Sequence, residues 1–304
     1  MKKILSFIII FTLIFSCKKE AKEENQKLNV VTTTSMITDL VKNIGGDAIE
    51  VQGLMGSGVD PHLYKASEGD VTKLVNADVI FYNGLHLEGK LVEVFEKMEH
   101  QDIKTIAIGE SLDKRTLIGS DYFASNYDPH IWFTVQNWKL ITTFVTNQLV
   151  IIDSKNAEVF KVNSEAYMAK LNKLEDRLKK TIATLPKEKR ILVTAHDAFS
   201  YFGKAYEFNV VGLQGLSTAT EAGVQDVQKL ANFIIENKVK AIFVETSVPK
   251  RTIEALQAAV KSKNHEVTIG GTLFSDALGN AGTIEGTYIG MFEYNVNTII
   301  NALK

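Results

Sequence analysis

Between Ser154 and Leu185 the chain runs without a proline or a glycine. Its apolar residues Tyr167, Leu171, Leu174, Leu178, Ile182 and Leu185 recur at steps of three and four, which stacks them on one face of a helix. Pro186 stops it. A helix of about 30 residues spans roughly 45 Å at 1.5 Å per residue, enough to cross a whole domain. Such a rod is either a long surface helix or a stiff connector between two bodies, and its flanks favour the connector.

On both sides, short β-branched runs alternate with amphipathic stretches, the signature of βα units around a parallel sheet. The first half reads as strands NVVTTT (29–34), AIEVQGL (48–54), DVIFYNG (78–84) and IKTIAIG (103–109), with helices near 36–44, 68–76 and 88–99. The second half reads as strands RILVTAH (190–196), NVVGLQG (209–215), KAIFVETS (240–247) and EVTIGG (266–271), separated by helical segments such as 227–236 and 252–261. The expectation is an α/β protein of two βα lobes with parallel sheets, 28–153 and 187–304, joined by one long helix at 154–186. A rigid helical link would limit hinge bending between the lobes.

The N-terminus has a different character. Met1-Lys2-Lys3 precedes an apolar run from Ile4 to Phe15, too short to span a bilayer, which reads as a secretory signal over 1–16. Cys17, the sole cysteine of the sequence, follows Ile14-Phe15-Ser16 in a pattern like a bacterial lipobox, with Phe15 a loose fit. Residues 18–27, KKEAKEENQK, suit a solvated tether behind a lipidated Cys17. The expected location is the cell envelope, lipid-anchored on the extracytoplasmic or periplasmic face. An acylated Cys17 leaves the mature body without a thiol, so any metal site there must use nitrogen and oxygen. A net charge of -2 and a pI near 6.3 supply no basic field for nucleic acid.

Of six histidines and four prolines, two of each are spent on one repeated tripeptide, Asp-Pro-His, at 60–62 and 128–130. Asp-Pro is a common turn starter, but here proline fixes φ and biases the preceding aspartate toward extended backbone, so each imidazole leaves a stiffened mount. His62, His130 and His196 all fall at or beyond carboxyl ends of expected strands, as does Asp276 in TLFSDALGNAG. In open parallel sheets ligands bind outside those ends, so the four converge on a site between the lobes. Asp60, Asp128, His86 and Glu245 are candidates to support them by hydrogen bonding. His100 and His265 read as solvated surface residues.

Several blocks, in order, carry a resemblance: VTTTSMITDLVKNIGG, MGSGVDPHLYKAS, FYNGLHLEGK, YDPHIWF, VTAHDAFSYFGKAY, QGLSTATEAG, IFVETSVPKRTIEAL and LFSDALGNAGTIEGTYIGM. Over nearly everything from Val30 to Leu303 the chain resembles the metal-binding solute-binding lipoproteins of ABC importers, the cluster A-I zinc and manganese receptors. The resemblance implies two βα lobes joined by a long helix, with a metal buried between them on His62, His130, His196 and Asp276. It also implies an ABC permease and its ATPase subunit as partners of a monomeric, non-enzymatic receptor. No Walker-type GxxxxGK[ST] occurs in the chain, so the energy source is a separate subunit.

Manganese-selective members commonly carry glutamate at the position of His196, whereas many zinc-specific members carry a His-rich insertion that the stretch 111–126 lacks. Three imidazoles and one carboxylate suit four-coordinate zinc, while manganese prefers more oxygen. The expectation is Zn2+, with Mn2+ as the alternative. A rival of another class is a zinc-dependent hydrolase using the same three histidines, with Asp276 or Glu245 as its base. The family includes a pneumococcal surface adhesin, which invites cell adhesion as a further role, but no feature of this sequence carries it.

Overall fold

The computed structural model describes residues 27–121 and 123–304, so the signal segment, Cys17 and most of the tether lie outside the described residues. The first lobe is a parallel sheet in the order β2-β1-β3-β4, from β1 (Leu28–Thr32), β2 (Ile49–Gly53), β3 (Val79–Tyr82) and β4 (Lys104–Ala107). Its helices are α1 (Ser35–Gly45), α2 (Glu68–Val75), α3 (Val92–Glu99) and α4 (Val135–Ile152). α2 starts as its sequence dictates: Ser67 and Asp70 form a capping box.

The second lobe repeats the plan. β5 (Ile191–His196) pairs with β6 (Asn209–Gln214), β7 (Ala241–Glu245) pairs with β8 (Thr268–Leu273), both parallel, and β5 lies beside β7. The spatial order β6-β5-β7-β8 matches that of the first lobe, but β5 and β7 are not joined by ladder hydrogen bonds, so the layer consists of two two-stranded sheets. In each lobe the chain leaves a central strand to one side and returns to the other, which opens a crevice at the carboxyl ends where the order reverses. The helices here are α6 (Ser200–Tyr206), α7 (Val224–Glu236), α8 (Arg251–Ser262) and α9 (Tyr288–Leu303).

The connector is α5 (Ala157–Ile182), entered through a short 3-10 turn at Ser154–Asn156. Its 26 residues make a rod of about 39 Å. It buries Phe160, Tyr167, Leu171, Leu174, Leu178 and Ile182 against α1 and α4 of the first lobe and α9 of the second. Lys139 pairs with Glu175, and Arg177 pairs with Glu293 of α9.

The lobes do not have separate cores at this seam. One cluster of buried side chains runs from Val30 and Phe81 through Trp138 and Tyr167 to Phe202 and Phe292. Phe133 stacks on Phe199 at 4.3 Å, and Trp138 stacks on Tyr288 at 4.7 Å while its indole N–H donates to the Tyr167 hydroxyl. Bending the lobes apart here would expose aromatic surface, so the stiffness of the connector is a packing effect as much as a helical one. Trp138→Ala should destabilise the protein by about 3–5 kcal/mol in chemical denaturation, because the cavity it leaves is shared by both lobes and α5.

Candidate metal centre

The site forms at the carboxyl ends of the strands, as the βα pattern requires. His196 is the last residue of β5 and Glu245 the last of β7, so the second lobe's contribution sits at its order reversal. The backbone around His196 is tightly held: a Cβ at Gly212 of neighbouring β6 would lie 2.5 Å from the Asp197 nitrogen and 2.7 Å from the His196 carbonyl carbon. No side chain fits there. β8 carries a bulge at Gly270-Gly271, where Ile242 and Phe243 pair with Ile269 and Gly271. Gly271 has φ 149°, and the bulged strand continues to Leu273, two residues past the expected Gly271, delivering the Asp276 loop to the site.

The two Asp-Pro-His segments form the same local turn. His62 N–H donates to Asp60 Oδ1 and His130 N–H to Asp128 Oδ1, each at 2.8 Å. They then diverge. Asp128 Oδ1 also takes the His130 ring at Nδ1, 2.8 Å, whereas Asp60 Oδ2 accepts from the Thr218 hydroxyl of the second lobe at 2.5 Å. Glu245 does for His196 what Asp128 does for His130: Oε1 accepts the backbone N–H at 2.9 Å and Oε2 the ring Nδ1 at 2.5 Å. In both histidines the carboxylate partners Nδ1 and turns Nε2 toward the shared centre, where in the neutral ring it is the lone-pair donor.

These Nε2 atoms point at one another. His62, His130, His196 and Asp276 each offer a donor atom within 4.8 Å of all the others, and the four residues are between 0 and 5 % exposed. His62 Nε2 lies 3.3 Å from His130 Nε2. His196 Nε2 lies 3.3 Å from Asp276 Oδ2, within ion-pair reach but without the alignment of a hydrogen bond, and His130 Nε2 lies 3.6 Å from Asp276 Oδ1. Nε2 of His196 and Oδ1 of Asp276 are buried and lack hydrogen-bond partners. Unmet buried polar atoms are costly, and four-coordinate zinc with donors near 2.0–2.1 Å needs donor spacings of about 3.3–3.4 Å. Two of the spacings, at 3.3 Å, match that figure, others are wider but within 4.8 Å, and the donor set fits a buried divalent ion.

The electrostatics agree. Burial opposes charge on Asp276, but His196, His130 and His62 hold its carboxyl well below the usual range. Burial also opposes charge on His196, yet the Asp276 and Glu245 carboxylates raise its pKa well above the ordinary 6.5. Burial pushes His62 down to about 3. Glu245 is engaged on the far side of His196, and Asp276 faces two imidazoles directly, so neither stands where a hydrolase would keep a free base.

His86 stands apart. It is exposed, in left-handed backbone at φ 62°, and reaches the site through Phe123, whose ring meets His86 at 6.2 Å and His62 at 6.5 Å. Other supporting residues were not singled out from sequence. Trp132 Nε1 donates to Ser275 O at 3.0 Å, Ser247 Oγ to Asp276 Oδ2 at 3.3 Å, and Leu278 N–H to Ser35 Oγ at 2.8 Å, so the Asp276 loop is pinned from both lobes. The buried Glu88 accepts from Thr33 Oγ1 and from Asn83 N–H, and Asn83 Nδ2 donates to Pro129 O, bracing the His130 turn. Trp132 and Asn83 lie in blocks that carry the family resemblance, which is the signal that could have found them.

Comparison with known proteins places this geometry. The chain is 46% identical over 299 residues to the zinc-binding protein TroA of Treponema pallidum, covering 98% of this chain and 96% of that one. It is 47% identical over 283 residues to the manganese-binding lipoprotein MntA of Bacillus subtilis, covering 93% and 92%. The solved structure of the Treponema pallidum periplasmic zinc-binding protein superposes with a TM-score of 0.89 at 47% identity, covering 91% of this chain and 99% of that one. The family model for the periplasmic component A of the zinc-uptake complex matches residues 30–302. The chain belongs to that family, the zinc and manganese receptors of ABC importers.

Proposed function

We propose that His62, His130, His196 and Asp276 are the ligands of the transported ion, and that zinc is favoured over manganese. The carrying observation is the convergence of three imidazole nitrogens and one carboxylate in a buried space between the lobes. As a receptor of an ABC importer the protein captures the divalent ion outside the cytoplasm and presents it to a permease driven by a separate ATPase. It has no catalytic task of its own. Zinc is supported by the nitrogen-rich donor set. The relatives do not decide it, since one at 47% identity is named for manganese and one at 46% for zinc.

The same reading makes the working protein a monomer, with a lobe of 28–153, a connector of 154–186 and a lobe of 187–304. Cys17, once acylated, holds it at the membrane through the tether to residue 27. The described residues contain no helix long and apolar enough to cross a membrane.

Elemental analysis of protein purified without added metal, followed by zinc-manganese competition, tests the choice of ion. Zinc should dominate both. His196→Glu should narrow the zinc preference by about tenfold or more, since it trades an imidazole for oxygen. The new carboxylate would face Glu245, so the competition is best run also with Glu245→Gln. A wild-type preference for manganese would overturn the assignment.

A further inference from the structure

The divergence of the two Asp-Pro-His turns leaves Asp60 with a task that Asp128 does not have. Its Oδ1 holds the backbone of His62, and its Oδ2 accepts from Thr218, which belongs to the other lobe. Thr218 lies in the segment 215–223 between β6 and α7, where it is the one buried residue in an otherwise exposed or half-buried run. The other ties of that segment are local or at its ends: Ala219 N–H donates to Ser217 Oγ and Gly223 N–H to Asp226, Gln214 Nε2 donates to Thr220 O at 3.3 Å, Arg251 reaches Glu221 on the surface, and Asp197 N–H donates to Gly215 O at its start.

Against this segment lies a cavity of about 540 Å³ lined by Ser120, Phe123, Asp197, Gln214, Gly215 and Ser217, among others. The cavity adjoins the site at two places. Phe123 packs edge-on against the His62 ring, and Asp197 follows His196 in the chain. Elsewhere between the lobes, the aromatic seam, the Trp132–Ser275 bond and the Ser35–Leu278 bond tie them together. The pinned seam, and a loop whose buried side-chain bond to the first lobe is that of Thr218 to Asp60, define where the site can open.

We infer that segment 215–223 is a strap over the ion's route between the metal centre and solvent, and that Thr218 is its positioning residue, latching it to Asp60 beside His62. The ion then passes without a hinge motion of whole lobes. Only the strap lifts, and the cavity behind it gives the ion room to exchange ligands for water. The polar lining of Ser120, Asp197, Gln214 and Ser217 suits a hydrated cation. This inference rests on the metal-receptor reading above.

The test is stopped-flow zinc binding and chelator-driven release, using Zn2+ alone and the wild-type, Thr218→Val and Thr218→Ser proteins. One lost hydrogen bond to a charged acceptor predicts that Thr218→Val releases zinc about tenfold faster. Because a strap slows entry as well as exit, capture should also accelerate, so the affinity falls by less than the release rate rises. Thr218→Ser, which keeps the hydroxyl, should restore both rates. Faster release with unchanged capture would mean that Thr218 merely supports the site, and would overturn the strap, as would unaltered rates or a serine variant as defective as valine. Failure of the wild type to bind zinc would instead overturn the ligand assignment, so the two failures are distinguishable.

Discussion

Replacing Asp276 with alanine is expected to weaken zinc binding by about a hundredfold to several thousandfold. Asp276 supplies the lone carboxylate of the four-residue cluster and faces both His130 and His196 from full burial. Removing one partner of a buried charge pair costs about 3–5 kcal/mol, which converts to roughly two to three and a half decades in Kd. The loss cannot be made up by Glu245, which is spent on the opposite nitrogen of His196. Asp128→Asn, which disturbs a partner of a ligand and not a ligand, should cost only about 10- to 100-fold. Competition against a chromogenic chelator ranks the three proteins. Stoichiometric, tight zinc retained by Asp276→Ala would remove Asp276 from the ligand set.

What could be read from the sequence follows from which physical signals are local. The eight strands stand where β-branched runs stand, because a strand buried on both faces needs little more than such a run and a turn at its end. α5 was legible because its polar and apolar faces differ and nothing interrupts them. α4 and α9 were not, though they are 18 and 16 residues long. Both are rich in Val, Ile, Thr and aromatic residues that favour strands, and although each buries one face at steps of three and four, apolar Leu140, Ile151 and Tyr294 stand on exposed positions and blur the contrast that marks a surface helix. Tertiary packing overrides local preference there. The same distinction governs the site. Stiff mounts and strand ends located His62, His130, His196 and Asp276 individually. That Asp60 would turn to Thr218 while Asp128 turned to its own imidazole depends on a contact 158 residues away, and no property of the tripeptide encodes it.

Zinc affinity is expected to fall as pH drops from 8 to 5, with a slope approaching about a decade per pH unit at the acid end, and the origin lies in His196. Its ordinary value would place the onset in the mid-sixes. Burial works against its charge, but Asp276 and Glu245 raise its pKa well above 6.5, so in the metal-free protein His196 holds its proton to higher pH than an ordinary imidazole. That proton must leave Nε2 before the nitrogen can ligate. Below the raised pKa each unit of acid multiplies the protonated fraction relative to the neutral one tenfold, and the competition is lost only above it. His62, pushed down to about 3 by burial, is already neutral throughout the window and adds nothing. Calorimetry in buffers of different ionisation enthalpy should therefore count protons released per zinc that rise toward one as pH falls below the raised pKa. Glu245→Gln, which removes one of the two carboxylates, should move the onset to lower pH. A flat profile from pH 8 to 5 would exclude His196 as a ligand. Stability without metal must run the opposite way. A raised histidine contributes stability that is complete below its unfolded value of 6.5 and is lost as pH climbs through the folded one, while the depressed Asp276 contributes above 3.8 and loses it on acidification. The empty pair is thus strongest between about pH 4 and 6.5, where zinc competes worst, so the His196–Asp276 ion pair takes over as the cross-site tie when the metal leaves.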